Sequence, residues 1–277
     1  MPDLPIVTTL ALRSSLLLVS DHDGTTSAAD AIVVDLASLA AASRDATRAT
    51  ADARIVAIAL ARRGAHVRVS PARSGALLDD LAASVSRRLT AVVLTGAEIA
   101  QDVRDADVGI RRHEMRLRIR AGTVRLIAEI DSASGLLALP SMLRVIDRHS
   151  AVALNASALA IDMGLDNVTG PALDHAMWDV AVAARDAALP WIVAAPAASA
   201  EQRARLATRA RQFGASGAGI ATEAEARGIN ALFTPAPEAT AAARATVDGS
   251  DADRRELKRT IGLLAQVEAI ERRERAR

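Results

Sequence analysis

Eight short runs along the 277-residue chain are apolar from end to end rather than at every second position. They are SLLLVS (15–20), AIVVDL (31–36), HVRVS (66–70), AVVLTG (91–96), RLIAEID (125–131), AVALNA (151–156), PWIVAA (190–195) and GAGIAT (217–222). Strands of this kind are buried on both faces, which is the signature of a parallel sheet covered by helices. Between them lie segments with helical apolar spacing, such as TADARIVAIALARRG (50–64) and AMWDVAVAARDAAL (176–189). Gly64 and the pair Leu189–Pro190 read as their stops. Eight strands alternating with helices over this length predict an α/β fold, a (β/α)8 TIM barrel.

The rival is an open doubly wound sheet, but no strand–GxGxxG–helix opening is present. Gly214, Gly217 and Gly219 lie late in the chain and read as a helix-to-strand turn with close packing. The barrel is expected over 1–247, with 248–277 as a C-terminal helical appendage. DGSDADRR (248–255) is its link, and 253–277 is a charged amphipathic helix with Leu257, Ile261, Leu264, Val267 and Ile270 on one face. Such a helix packs on a neighbouring subunit or caps the barrel. The densest basic run, RRHEMRLRIR (111–120), lacks the second histidine of a zinc motif and reads as a solvated strand or hairpin.

Composition removes several chemistries. There is no cysteine, so thiolate nucleophiles, disulfides and cysteine metal sites are excluded. Lys258 is the only lysine and lies in the charged tail, a poor Schiff-base candidate. Two Trp, two Phe and no Tyr leave little for base stacking, and a net charge of +1 gives no field for nucleic acid or an anionic membrane. Arg13 interrupts the N-terminal apolar run, and no A-x-A cleavage pattern follows it; a cytoplasmic protein is expected.

A barrel of this type does its chemistry at the C-terminal ends of its strands. Those ends carry Ser20, Asp21 and His22, then Asp35, Arg68 and Ser70, and Thr95, Gly96 and Glu98. They continue with Asp131 and Ser132, Asn155 and Ser157, and Thr222 and Glu223. Arg68 is the most informative, because a guanidinium between valines needs an anion. A substrate carboxylate and an internal pair with Asp35 or Asp131 are both open at this stage.

The ordered set LRSSLLLVS, ADAIVVDL, HVRVSP, TAVVLTGAE, RLIAEIDSASGLL, AVALNASALAIDMG and ALFTPAPEAT resembles the citrate lyase beta-subunit family within the HpcH/HpaI aldolase superfamily. The resemblance spans roughly residues 12–246. It implies a barrel, commonly trimeric, that uses Mg²⁺ to make or break C–C bonds beside a carboxylate or CoA thioester. It also implies a small carboxylate or acyl-CoA ligand, substrate contacts from Arg13 and Arg68, a catalytic role for Arg68 and Asp35, and Asp131 as metal ligand.

Other positions depart from the family pattern. Ala37 and Ser38 replace the Glu and Asp of Asp-Leu-Glu-Asp, and Asp131 stands in place of a glutamate. NASAL puts Ser157 and Ala158 where Gly-Ala-Glu-Asp-Leu has its two acids. Thr95–Gly96 replaces Pro-Lys, and the Ile-His-Pro end of strand eight reads IAT (220–222). Three readings follow. The first is a barrel that keeps the ligand pocket, as a binding or partner subunit, without the Mg²⁺-dependent lyase site. The second is an active lyase, aldolase or thioesterase with relocated ligands, Asp131 with Asp35 or Glu98. The third is a structural protein with no ligand.

Overall fold

The computed structural model describes residues 12–18, 27–248 and 253–276. Eight parallel strands close a barrel in sequence order: β1 Ser14–Leu18, β2 Ala31–Asp35, β3 Gly64–Val69, β4 Ala91–Leu94, β5 Arg125–Ile130, β6 His149–Asn155, β7 Trp191–Ala194 and β8 Gly217–Ile220. β8 returns to β1 through the pairs Ser14↔Ala218 and Leu16↔Ile220. All eight expected runs are strands. Ser20, Asp21 and His22 lie outside the described residues.

The continuous apolar runs are explained by two separate cores. Val34, Val67, Val92, Leu126 and Leu154 point outward under the helices, whereas Ala31, Val33, Val93, Ile127, Ala153 and Ile192 point into the barrel. Neighbours along one strand therefore serve opposite faces, both dry. The outer layer is α1 Ala41–Leu60, α2 Leu77–Ser84, α3 Ala100–Arg116, α4 Ala133–Met142, α5 Ala156–Asp162, α6 Pro171–Asp186, α7 Ala200–Gln212 and α8 Ala226–Phe233. Ile55 and Ile58 of α1 and Leu81 of α2 are fully buried. Each contributes about 1.5–3 kcal/mol.

Several polar residues at strand ends start helices. Ser132 Oγ accepts from the Gly135 N–H at 3.1 Å and caps α4, and Asn155 Oδ1 accepts from the Ala158 N–H at 3.2 Å and caps α5. Two local expectations are corrected. Arg62, at φ 58°, ends α1 in the left-handed region, so the stop precedes Gly64, which opens β3. RRHEMRLRIR is no strand: Arg111–Arg116 are the last turns of α3. Its charge is not all solvated either. Glu114 is buried against Arg148, which also bonds Asp107, so one face of the basic run supports an internal ion triad.

After the barrel, α9 Pro237–Asp248 and α10 Arg254–Ala276 pack on each other, with Arg244 and Glu271 3.9 Å apart. The expected division at 247/248 falls at the last residue of α9. The end of α10 caps the N-terminal end of its own barrel. Arg273 bonds Asp30 at 3.0 Å, and Glu274 bonds Arg13 at 2.8 Å. On the expected apolar face Ile270 is buried, Leu257, Leu264 and Val267 are half-buried, and Ile261 is exposed. Among the described residues no helix is long and apolar enough to cross a membrane.

Candidate functional site

Arg68 faces into the barrel near the C-terminal end of β3, paired in register with Asp35, the last residue of β2. Its guanidinium is closed on two carboxylates. Nε and Nη2 donate to Glu129 at 3.0 and 2.7 Å, and Nη1 donates to Asp35 Oδ1 at 3.2 Å and to Ser38 Oγ at 2.6 Å. Asn155, ending β6, donates Nδ2 to Glu129 Oε1 at 3.0 Å. Asp35 Oδ1 also takes the N–H groups of Ala37 and Ser38 at 2.9 and 3.2 Å. Burial works against the charge on Arg68, but the Glu129 and Asp35 carboxylates outweigh it and hold its pKa above the ordinary arginine value.

Of the two partners expected for Arg68, Asp35 is present; Glu129 takes the place expected for Asp131. Asp131, just past β5, instead accepts the Gly96 N–H at 2.9 Å. Burial raises its pKa, and nearby Glu129 adds to the rise, while the Gly96 N–H and Arg68 oppose it. Gly96 stands where the resemblance has a lysine, at φ 58°, and a Cβ there would lie 2.7 Å from Pro71 Cγ. A side chain is disfavoured twice over at this turn, and the backbone N–H that remains is spent on Asp131.

The other sequence candidates separate from this cluster. Arg13 precedes β1 at the opposite end of the barrel and takes no part in the mouth. It holds Asp30 through Nε at 2.9 Å, Nη2 at 2.9 Å and its backbone N–H at 3.0 Å. Asp30 is driven below the usual carboxylate range: burial raises it, but Arg13 and Arg273 more than compensate. Glu98 sits on the outer rim, held by Arg73 at 2.9 Å. Thr222 donates to Glu225 Oε1 at 2.8 Å, and Glu225 is paired with Arg203 at 2.5 Å. Glu129, Arg203 and Glu225 were not singled out from the sequence. Glu129 alone carried a readable signal, since it is a charge inside an apolar strand, two residues before Asp131.

Two carboxylates, Asp35 and Glu129, thus hold one guanidinium, with Asp131 near enough to feel its charge. Arg68, Glu129, Asn155 and Arg203 line a cavity of about 60 Å³ that continues into the barrel interior between Leu17, Val33, Val93 and Ile127. As donors for a metal these groups are largely committed. Both Glu129 oxygens accept from Arg68, one Asp131 oxygen accepts from Gly96, and position 158 is an alanine whose N–H caps onto Asn155. Among the described residues no three His, Asp or Glu side chains converge as a metal site.

Comparison with known proteins agrees with this architecture. The chain is similar to RipC from Yersinia pestis, at 24% identity over 82% of this chain and 97% of that one, with a TM-score of 0.63. It is similar to CitE from Mycobacterium tuberculosis, solved with magnesium, acetoacetate and coenzyme A, at 18% identity over 94% and 97% of the two chains (TM-score 0.62). A third likeness is to malate synthase from Haloferax volcanii, at 15% identity over 82% and 75% (TM-score 0.69). At these identities the likenesses establish the barrel alone. None of the curated proteins compared with the chain matches it. The family model for HpcH/HpaI aldolase/citrate lyase matches residues 20–223, most of the barrel, and the chain therefore belongs to the HpcH/HpaI aldolase/citrate lyase family.

Proposed function

We propose that this chain is a ligand-binding member of its family that does not carry out Mg²⁺-dependent C–C cleavage. The observation that carries this reading is the closure of Arg68 on Asp35 and Glu129, which commits the family-type arginine and a carboxylate to each other. Mg²⁺ is held by hard oxygens in near-octahedral geometry, usually one or two carboxylates with waters and substrate oxygens. Here the free donor is a single oxygen of Asp131, so the residues as arranged do not fit the ion. No step is assigned to it. An enolate formed by C–C cleavage would then lack its electrophile, a loss of several kcal/mol and hence of several orders of magnitude in rate.

The ligand class is a small carboxylate or the acyl end of a CoA thioester; CitE from Mycobacterium tuberculosis was solved with acetoacetate and coenzyme A, and with pyruvate. A ligand carboxylate reaching Arg68 must exchange with Glu129, so Glu129→Gln should tighten pyruvate binding by at least about tenfold. Activity is tested by incubating the full chain with a panel of 3-hydroxyacyl-CoA thioesters and Mg²⁺, reading by mass spectrometry the shorter acyl-CoA and carbonyl product of C–C cleavage and, in parallel, the thiol that hydrolysis would release. The absence of cysteine leaves the thiol reading without protein background. Neither cleavage products nor thiol above the uncatalysed rate supports the reading.

One observation favours a second reading, an active lyase, aldolase or thioesterase with relocated ligands. Asp131 stands near Glu129 and Arg68, and burial makes its ionisation costly, so a cation there would relieve it. Cleavage products or thiol whose formation is abolished by chelator and by Asp131→Asn would establish that reading instead. We further propose a homo-oligomer, a trimer as the family resemblance implies. Leu137, Ile161, Trp178 and Val182 on α4, α5 and α6 remain exposed, an apolar surface suited to burial between copies.

A further inference from the structure

A second arginine lines the barrel cavity. Arg203 lies in the first turn of α7, the helix after β7, and in the closed strand order β7 stands opposite β3, which carries Arg68. The wall beside Arg203 is made of small residues, Ala194, Ala195 and Gly219. A Cβ at Gly219 would lie 2.8 Å from the Ala194 Cβ, so this wall has no room to grow without displacing a neighbour. The Arg203 side chain is 10% exposed and is held by Glu225: Nε donates to Oε2 at 2.8 Å and Nη2 to Oε1 at 2.5 Å. Nη1 donates to the Ala198 carbonyl. Burial raises the Glu225 pKa, but the bonds from Arg203 and Thr222 outweigh it and hold the carboxylate below its usual range.

The two arginines differ in the donors they have left. A guanidinium side chain carries five N–H groups. Arg68 spends four of them, Nε and one of Nη2 on Glu129 and both of Nη1 on Asp35 and Ser38, so one remains. Arg203 spends three, and one N–H on each terminal nitrogen has no partner among the described residues. A carboxylate is best taken by two parallel N–H groups, which Arg203 can supply while keeping Glu225 and Arg68 can supply only by releasing a partner. The deeper walls are aliphatic, and about 60 Å³ is room for roughly four to six water-sized atoms at about 10–15 Å³ each. We propose that Arg203 anchors the ligand carboxylate, and that the ligand is a short aliphatic monocarboxylate of about four to six non-hydrogen atoms with its tail between Leu17, Val33, Val93 and Ile127. This inference rests on the reading of the chain as a carboxylate-binding member of its family, and sets the anchor across the barrel from Arg68.

The test is titration calorimetry of the full chain at pH 7.5 with propionate and with propionamide, its uncharged counterpart of the same shape. Wild type is expected to bind propionate with a millimolar Kd, and propionamide at least about tenfold more weakly. Arg203→Gln combined with Glu225→Gln should weaken propionate at least about tenfold and leave propionamide unchanged, a loss of charge preference that a merely structural arginine would not produce. Glu225→Gln alone keeps Arg203 and an acceptor for it but removes the charge that competes with the ligand, and should tighten propionate at least about threefold. That single variant decides the matter if the double one does not fold. Glu129→Gln does not separate the two arginines, since it removes a negative charge from the cavity whichever of them binds. Wild-type affinity for propionate in the folded double variant, or in Glu225→Gln, would overturn this inference and leave the family reading standing with Arg68 as the anchor. Pyruvate binding without propionate binding would also overturn this inference alone, and binding of neither would overturn both.

Discussion

Replacing Arg68 by methionine removes the cation that pairs with Asp35 and Glu129 while keeping most of the side-chain volume. Asp35 is fully buried and the Glu129 side chain is only 8% exposed, so both carboxylates lose their counter-ion in a poorly solvated place. Breaking a buried pair from one side typically costs about 3–5 kcal/mol. The lower end applies, because Asp35 keeps the Ala37 and Ser38 N–H groups and Glu129 keeps Asn155. A loss of about 3 kcal/mol at pH 7.5 corresponds to a fall in Tm of roughly 6–12 °C for a domain of this size.

Arg68→Met combined with Glu129→Gln should recover about 1 kcal/mol or more. Urea denaturation followed by circular dichroism measures all three proteins. A fall in Tm below about 2 °C at pH 7.5 would refute the closed-cluster account and leave Arg68 free for a ligand.

Other expectations follow from particular groups. His66 and His149 are both lowered by burial to about 4, against about 6.5 unfolded, so the unfolded state binds protons first as pH falls. Stability should decline from pH 6.5 towards pH 4, by about 2 kcal/mol per histidine at pH 5. A urea midpoint unchanged between pH 7.5 and 5 would contradict this. Gly96→Ala meets both a positive φ and Pro71, and should cost about 2 kcal/mol or more, whereas Gly75→Ala, at φ 76° with open space, should cost about 1 kcal/mol. Equal losses in thermal melts would show that the contact with Pro71 is not felt. Light scattering at micromolar concentration should return a multiple of 28.9 kDa, and a monomer would remove the proposed oligomer.

The barrel was legible because the double burial of its strands is written as unbroken apolar runs, and each run is short enough to exclude a helix. Asp35 as a partner of Arg68 was legible for a similar reason, since both are charges at the ends of neighbouring apolar runs. Glu129 is less legible because Asp131, two residues on, is the position matched by family resemblance, although Glu129 shares the inward face of Ile127. The region 111–120 misled because arginine density suggests solvent, while Glu114 belongs to a triad with Arg148, 34 residues away. Nothing local announces that contact. The place of Arg13 depends on Asp30 and on the end of α10, and sequence order alone does not put Glu274 beside it.

The central claim is that the family barrel is present while its mouth is closed on itself rather than arranged for Mg²⁺. Titration calorimetry of the full chain with Mg²⁺ at pH 7.5 tests this most directly, with Ala158→Asp combined with Asp131→Glu as the comparison. The account predicts no saturable heat at millimolar or tighter affinity in the wild type and measurable binding in the double variant. Saturable millimolar or tighter binding by the wild type, lost in Asp131→Asn, would contradict it.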